Sequence, residues 1–243
     1  MTTPIVLLQS GGVLAIDKPA GLATQAPPGI DSVEAWVRRQ VAGGPRDYLG
    51  VPHRLDRAVS GVLLMALTPR AARQLSRQFE RREVGKSYLA IVAAAVAPVA
   101  GTWRDLVEKV PDEPRARLAA ADSPTAREAV TDVHVVAPLA GGGRWLLELL
   151  PRTGRMHQLR LQAASRGMPI VGDAAYGGAA GWGPDVADPR LAAIALHAWR
   201  IAYRDPADGR EVRVEAPPPA AWPAEVAALV SGRAPADPAS GRA

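Results

Sequence analysis

Short apolar segments recur along most of the chain and predict a protein rich in β-strands. Near the amino terminus, Ile5 to Gln9 and Val13 to Asp17 predict two strands that meet at a Ser-Gly-Gly turn. The continuous apolar run from Gly61 to Leu67 predicts a strand that is buried on both faces. Further strands are predicted at Lys86 to Ala93, Val130 to Val136, Trp145 to Leu150, Ala195 to Tyr203 and Glu211 to Glu215.

Helical spacing of apolar residues predicts four helices between these strands. The first is expected from about Ser32 to Ala42, with Asp31 and Glu34 as a capping box and Gly43-Gly44 ending the pattern. The second opens at Thr68-Pro69, because proline at the first helical position loses no hydrogen bond. The remaining two are predicted at Met156 to Ser165 and Ala224 to Val230.

The arrangement of these elements favours an α+β fold. Strands without regular alternation with helices predict a largely antiparallel mixed sheet with flanking helices. The stretch from Ala94 to Ala129 has little periodicity and is predicted to be mostly loop. A length of 243 residues allows one domain or two intimate lobes. We expect a single domain over residues 1–231 and a disordered tail over residues 232–243.

Composition restricts the possible function classes. No apolar run approaches the roughly 20 residues of a membrane-spanning helix, and no signal-peptide pattern opens the sequence, so we expect a cytoplasmic protein without membrane contact. The absence of cysteine excludes disulfides, thiol catalysis and thiolate metal sites. The net charge of +5 favours a polyanionic partner such as RNA, although a biased composition rich in arginine explains it as well.

The second predicted helix carries a run of arginines outside its apolar stripe. The stripe consists of Ala72, Leu75 and Phe79, and the arginines are Arg70, Arg73, Arg77, Arg81 and Arg82. A solvated surface and a phosphate-binding face are both compatible with this pattern.

The loop before the buried strand has the greatest density of chemically active side chains. It reads His53-Arg54-Leu55-Asp56-Arg57-Ala58-Val59-Ser60-Gly61 and places one carboxylate among cations. Positive neighbours favour the ionised carboxylate, which a nucleophilic aspartate requires. Anchoring of the loop through an Asp56–Arg57 pair is the competing interpretation.

The same loop closely resembles the signature of the RluA family of pseudouridine synthases. The resemblance spans roughly Ile5 to Pro217 and implies the pseudouridine synthase fold, with a central catalytic cleft in a single catalytic domain. Because little sequence precedes Val13, we expect no separate S4-type RNA-binding domain. The other matching segments, in family order, are Thr24-Gln25, Gln78-Phe79-Glu80 through Lys86-Ser87-Tyr88-Leu89-Ala90, Thr153 through Arg160, Pro169-Ile170-Val171-Gly172-Asp173 and Ala195 through Trp199.

The resemblance implies an enzyme that isomerises uridine to pseudouridine in ribosomal or transfer RNA, without a cofactor or metal. It implies that Asp56 attacks the target uridine, that Tyr88 lies against the flipped base and removes the proton from C5, and that Arg160 pairs with Asp56. Arg54 is expected to take the place of the extruded base in the RNA stack. RNA contacts are further assigned to Arg57, His53, His157 and Gln158, and we expect a monomer.

Other roles are also compatible with these site residues. His53 suits shaping of the loop better than proton transfer, and His157 and Gln158 suit orienting Arg160 as well as touching RNA. Without the resemblance, Tyr88 would be interpreted as core and Arg160 as surface. The sequence also departs from the family pattern near Arg160: Met156 replaces the usual threonine and Leu161-Gln162 the more familiar Val-His pair, so local packing or substrate detail is expected to differ.

Competing enzyme classes fit the motifs less well. A glycosidase would need a second catalytic carboxyl group near Asp56, where the motifs bring arginine and tyrosine. A serine hydrolase using Ser60, His53 and Asp56 would need a nucleophile elbow, which is absent from the sequence. The scattered histidines show no metal-ligand spacing. A catalytically inactive RNA-binding module or RNA chaperone is the alternative from another class.

Overall fold

A computed structural model describes residues 3–41 and 47–234. Contacts divide the chain into two compact units, each described here by itself. The first comprises Met1–Lys86, Pro184–Ala193 and His197–Pro219, and the second comprises Ser87–Gly183, Ile194–Leu196 and Ala220–Ala243. The described strands are β1 (Ile5–Ser10), β2 (Val13–Lys18), β3 (Ser60–Ala66), β4 (Gly85–Ala93), β5 (Gly101–Lys109), β6 (Ala116–Leu118), β7 (Arg127–Pro138), β8 (Arg144–Pro151), β9 (Leu196–Arg204) and β10 (Glu211–Glu215). The α-helices are α1 (Val33–Gln40), α2 (Pro69–Glu80), α3 (Gln158–Ala164) and α4 (Ala224–Val230).

In the first unit, five strands are hydrogen-bonded in the order β1-β2-β3-β9-β10. All pairs are antiparallel except β3 with β9, which run parallel through the register Ser60↔His197 and Gly61↔Ala198. Every residue of β3 is buried, which confirms the prediction of a strand covered on both faces. Leu64 of β3 and Leu75 of α2 lie in the same apolar core, so the strand that follows the motif loop is firmly packed.

Gly61 permits the close parallel approach of β3 to β9. Its φ angle is +110°, a conformation that L side chains rarely adopt. A Cβ atom at this position would collide with the carbonyl oxygen of Ala198. Next to it, the buried Ser60 Oγ is hydrogen-bonded to His197 Nδ1 at 2.8 Å. The end of the motif therefore forms the junction between the two strands.

The two helices of the first unit begin at hydroxyl side chains. Thr68 caps α2 by accepting a hydrogen bond from Ala71 N, and Pro69 follows it, as predicted. For α1 the predicted capping box at Asp31 is wrong, because Ser32 is the cap and accepts from Ala35 N. Two adjacent residues of cap-forming type make such a shift by one position easy. The predicted end of α1 at Ala42 and Gly43-Gly44 lies outside the described residues.

In the second unit, five strands follow the order β4-β8-β7-β5-β6, and each strand is antiparallel to its neighbours. Most residues from Ala94 to Ala129 lie outside helices and strands, as predicted, but this stretch also contains β5, β6 and the start of β7, which were not predicted. Leu161 of α3 packs against Val107 of β5 and Ala116 of β6. Helix α3 is thereby fixed on the strands that the sequence pattern missed.

The pairing pattern confirms the predicted α+β class with a largely antiparallel mixed sheet. The helix Ala224–Val230 and the strand Glu211–Glu215 have the predicted bounds, and the other predicted strands are found within a few residues of their expected ends. Of the predicted tail, residues 235–243 lie outside the described part of the chain. No helix in the described ranges is long and apolar enough to cross a membrane.

Candidate active site

The loop that carries Asp56 belongs to the first unit and is held by hydrogen bonds to its backbone. Thr24 Oγ1 donates to the carbonyl oxygen of Leu55 at 2.9 Å and accepts from Leu55 N at 3.2 Å. The Leu55 side chain is buried, and Val59 N donates to Asp56 O at 3.1 Å. The backbone on both sides of Asp56 is therefore fixed, while its side chain is half-buried and that of Arg54 is exposed.

Lys18 supports the same loop from the protein interior. Its side chain is fully buried, and Nζ donates to the carbonyl oxygens of Pro19 at 3.0 Å, Leu22 at 2.8 Å and Arg57 at 3.2 Å. Burial lowers the pKa of Lys18 to about 7, although the negative charge of Asp56 acts in the opposite direction. The ammonium group thus ties the turn after β2 to the loop and lies within electrostatic reach of Asp56.

Lys18 is a supporting residue that sequence reasoning missed. The sequence Lys18-Pro19-Ala20-Gly21 is typical of a turn and gives no sign of this supporting role. A usable signal was its position directly after an apolar strand, where a lysine side chain has little route to solvent. Gly21 N also donates to Arg57 O, at 2.8 Å, so both ends of this turn bind the same carbonyl group.

His53 also acts on the backbone. Its Nε2 accepts a hydrogen bond from Leu64 N of β3 at 2.8 Å, and its ring stacks on Phe79 of α2 with centroids 4.5 Å apart. Burial, with the nearby positive charge of Lys86, lowers the pKa of His53 to about 3. The ring is therefore neutral near pH 7, which suits a residue that shapes the loop. A contact between His53 and RNA stays a prediction.

Arg160 lies in the first turn of α3, in the second unit. It is buried and forms a two-pronged ion pair with Asp173, with Nε and Nη2 each 2.7 Å from a carboxylate oxygen. Its guanidinium carbon also lies 5.1 Å from the ring centroid of Tyr176. The interpretation of Arg160 as ordinary surface is therefore wrong. Its pairing with Asp56 would join residues of the two units and stays a prediction.

The residues before Arg160 fix the start of α3. His157 adopts a left-handed conformation with φ of 51°, and its Nδ1 is hydrogen-bonded to the Tyr176 hydroxyl at 2.9 Å. Gln158 is buried; its Oε1 accepts from Thr153 Oγ1 at 2.7 Å and its Nε2 donates to Val130 O at 3.0 Å. These contacts indicate that Gln158 orients the helix. Its assignment to RNA binding stays a prediction.

The departures from the family pattern are absorbed into local packing. Gln162 is fully buried, accepts from Thr131 Oγ1 at 2.7 Å and donates to Asp105 Oδ2 at 2.7 Å and to Ala129 O at 3.2 Å. It thereby ties α3 to β5 and β7. Met156, in contrast, is exposed. Leu161 and Gln162 thus secure the helix rather than disturb it.

Tyr88 lies on β4, in the second unit, opposite Leu149 of β8, and its side chain is half-buried. The neighbouring Ser87 Oγ donates to the buried Glu148 carboxylate at 2.7 Å. Tyr88 is therefore not simply part of the core, and a regular strand holds its backbone.

The predicted site residues fall into two groups. His53, Arg54, Asp56 and Arg57 share one loop of the first unit, whereas Tyr88, His157, Gln158 and Arg160 belong to the second. Within residues 3–41 and 47–234, no cluster of three or more histidine, aspartate or glutamate side chains could hold a metal ion.

Comparison with known proteins identifies the family. The model of the RNA pseudouridylate synthase family matches residues 12–165, a range that covers more than half of the chain. The chain belongs to this family. It resembles "Dual-specificity RNA pseudouridine synthase RluA" of Escherichia coli, to which it is 33% identical over 220 residues that cover 88% of this chain and 92% of the relative.

A longer relative is similar to the chain in sequence, and two solved structures are similar to it in fold. The chain is 36% identical over 225 residues to "Ribosomal large subunit pseudouridine synthase D" of Xanthomonas campestris, and the match covers 88% of this chain and 66% of the relative's length. Human RNA Pseudouridylate Synthase Domain Containing 4 and Domain Containing 1 share its fold, with TM-scores of 0.69 and 0.70 at 24% identity. The matches cover 88% of this chain in both cases, and 88% and 83% of the human chains.

Proposed function

We propose that this protein isomerises uridine to pseudouridine within RNA and that the Asp56 carboxylate is the nucleophile. The main support is the family match over residues 12–165, a range that contains the whole loop around Asp56. Because the chain spans 66% of the Xanthomonas relative, the activity of that protein is carried over as part of the proposal. The RNA-chaperone alternative has no comparable observation in its favour.

The chemistry fits the residues of the loop. Isomerisation breaks the N1–C1′ bond and forms a C5–C1′ bond, while the hydrogen on C5 is lost and N1 gains one. No atoms or electrons are added overall, so the reaction needs no co-substrate. Attack by Asp56 supplies a covalent intermediate in which the detached uracil can turn. Thr24 and Lys18 fix the loop backbone, which favours a reproducible position for this carboxylate.

Tyr88 and Arg160 receive supporting roles by resemblance to the family. The Tyr88 ring would stack on the extruded base, and its hydroxyl would take part in removing the C5 proton. Arg160 would hold Asp56 ionised; its bond to Asp173 supports this role, because a guanidinium with a fixed orientation loses little entropy on binding a second carboxylate. Tyr88→Phe should retain RNA affinity and lower turnover, and Arg160→Lys should lower turnover because it removes the planar fork.

The RNA substrate is inferred from the relatives. One carries the name of a large ribosomal subunit synthase and another that of a dual-specificity RNA synthase. We therefore infer ribosomal RNA as substrate, with transfer RNA as the second candidate, and a monomer acting in the cytoplasm. Arg54 would occupy the space that the extruded base leaves, since its exposed guanidinium can both stack and hydrogen-bond.

Release of tritium from RNA labelled at C5 of uridine tests the proposal directly, because isomerisation replaces that hydrogen. Wild-type protein should release tritium from ribosomal or transfer RNA, and Asp56→Asn should lower the rate by at least ~10³-fold, as expected for loss of a nucleophile. The affinity for RNA should change little. Asp112→Asn, at an exposed turn of the second unit, is the matched control and should remain active.

Two results would contradict the proposal. If wild-type protein binds RNA but releases no tritium from either RNA class, the RNA-binding module is the better description. If Asp56→Asn retains the wild-type rate, the protein is a synthase with another nucleophile.

A further inference from the structure

Helix α2 presents a stripe of arginines to solvent. Arg70, Arg73, Arg77 and Arg81 follow one another at intervals of three or four residues, so they share one side of the helix. All four are exposed, whereas Ala71, Leu75 and Gln78 are buried on another side. From Arg70 to Arg81 the stripe extends about 16 Å, given a rise of ~1.5 Å per residue. We call these four residues the α2 arginine stripe.

The arginines of the stripe have no carboxylate partner among the residues that the structure describes. Across the described ranges, no carboxylate oxygen lies within 4.0 Å of a nitrogen of these arginines, and the first turn of α2 contains no acidic residue. Like charges at such spacing destabilise a helix by ~0.2–0.5 kcal/mol per pair, and a cation near the amino end opposes the helix dipole. Repulsion within the stripe and the position of Arg70 therefore oppose helix stability, whereas Arg77, in the last turn, interacts favourably with the helix dipole.

Helix α1 shows that an arginine-rich composition does not explain this arrangement. There, Arg38 pairs with Glu34 at 3.0 Å and Arg39 with Asp31 at 3.5 Å. Several exposed arginines on strands are also paired, as in Arg104–Glu128, Arg117–Glu108 and Arg213–Glu211. Among the described residues, Arg127, Arg144 and Arg204 are exposed on strands without a carboxylate within 4.0 Å, but they are scattered over three strands. The bias that raised the arginine content acts on the whole chain, so the concentration of unpaired arginines on α2 needs a separate cause.

The stripe is rigid and is attached to the loop that carries Asp56. At one end Thr68 caps α2, and near the other Gln78 binds both the carbonyl oxygen and the amide of Arg204, at 2.9 and 2.8 Å. Phe79 of α2 stacks on His53 of the loop. A cationic surface that is fixed in this way loses little entropy when a ligand binds.

The geometry points to the α2 arginine stripe as a docking surface for the phosphate backbone of the RNA substrate, outside the nucleotide that reacts. This inference rests on the proposed function and adds a binding surface to it. Arginine forks match phosphate oxygens bidentately, and a row of four along one helix fits successive phosphates of one strand. Such contacts bind substrate and transition state equally, so they should affect KM and leave kcat unchanged.

Arg73→Gln/Arg77→Gln removes two charges from the middle of the stripe, and glutamine preserves helix propensity. Arg38→Gln/Arg39→Gln removes the same number from α1 and is the matched control. Binding of a fluorescent uridine-containing RNA hairpin is measured at several KCl concentrations. We expect roughly tenfold weaker binding for the α2 variant, and a salt slope smaller by ~0.7–0.9 for each phosphate that the variant no longer binds. The control should bind as the wild type does.

Tritium release by the same variants separates this inference from the proposed function. The α2 variant should show a raised KM at unchanged kcat. Its melting temperature should change little, because the loss of like-charge repulsion offsets the loss of the favourable interaction between Arg77 and the helix dipole. If its affinity and salt slope equal those of the wild type, the stripe does not bind RNA, and another acidic partner is the next candidate. If wild type is inactive, the proposed function fails, while the binding assay still decides the docking surface.

Discussion

The loop around Asp56 and the segment around Arg160 are stabilised in different ways. In the loop, Lys18 and Thr24 reach backbone groups, and His53 binds the backbone of β3. Around α3, side chains bind other side chains, as in the pairs Arg160–Asp173 and Gln162–Asp105. A hydrogen bond to a backbone group does not depend on which side chain the anchored residue carries. A bond between two side chains is lost when either residue is replaced.

This difference predicts where substitutions cost stability. In the first region a supporting residue can be replaced with loss of its own hydrogen bonds only. In the second region replacement of one partner removes hydrogen bonds to a buried polar or charged side chain, which is the more expensive case.

The largest effect is expected at Asp173. Asp173→Ala should lower the free energy of unfolding by about 3–5 kcal/mol, because it removes both charged hydrogen bonds that the Asp173 carboxylate forms with the buried Arg160 guanidinium. Urea denaturation measures the change. Glu128→Gln, which breaks the exposed pair with Arg104, is the control and should cost less than about 1 kcal/mol. Equal losses in both variants would show that burial does not distinguish the pairs.

Lys18→Met should have the next largest effect. It removes three hydrogen bonds to carbonyl groups and should cost about 2 kcal/mol at neutral pH. Burial lowers the pKa of Lys18 from 10.5 to about 7, so between these values the unfolded chain holds a proton that the folded protein has released. Stability should therefore rise with pH across this window, and the variant should lack this rise. Parallel pH curves for both proteins would contradict the prediction.

A smaller loss is expected for Tyr176→Phe. The hydroxyl accepts from Ala116 N at 2.9 Å and donates to Ala116 O at 3.2 Å, so its removal should cost about 1 kcal/mol in thermal or urea denaturation. The ring remains, and with it the stacking surface for Arg160. A loss as large as that of Asp173→Ala would mean that the hydroxyl, rather than the ion pair, holds this segment.

The smallest effect concerns His53. Because burial and Lys86 lower its pKa from 6.5 to about 3, its ring signals in NMR spectra should not move between pH 5 and 8. Below pH 6.5 His53 binds a proton in the unfolded chain but not in the folded protein, so its contribution makes the free energy of unfolding fall as pH falls. Titration of the His53 ring near pH 6.5 would overturn its role as a neutral acceptor for Leu64 N.

The strands that the sequence pattern failed to predict show where patterns lose information. In β5 only Trp103 and Val107 are buried, and the residues between them are mostly polar. Two apolar positions four apart fit one face of a strand and one turn of a helix equally well. The fully buried β3 was predictable because every position is apolar or small, so no phase had to be assigned.

In the candidate site, the sequence indicated the proposed catalytic residue more clearly than the residues that support it. Asp56 stood out because its motif concentrates charge, and its role as nucleophile stays a prediction. The supporting residues Lys18 and Asp173 were given no role, although Asp173 lies in a segment that resembles the family. Their roles depend on burial and on contacts across the fold, at 0% and 1% exposure, which local spacing does not report.

Gly61 has a consequence for the way such chains are classified. The last position of the motif is imposed by the spacing of two neighbouring backbones, since any side chain there would strike Ala198. A descendant that had abandoned catalysis would be free to exchange Asp56, yet it would have to keep this glycine in order to fold. A match to the whole signature therefore combines positions that the fold requires with positions that catalysis requires. Only the individual positions distinguish an active family member from an inactive one.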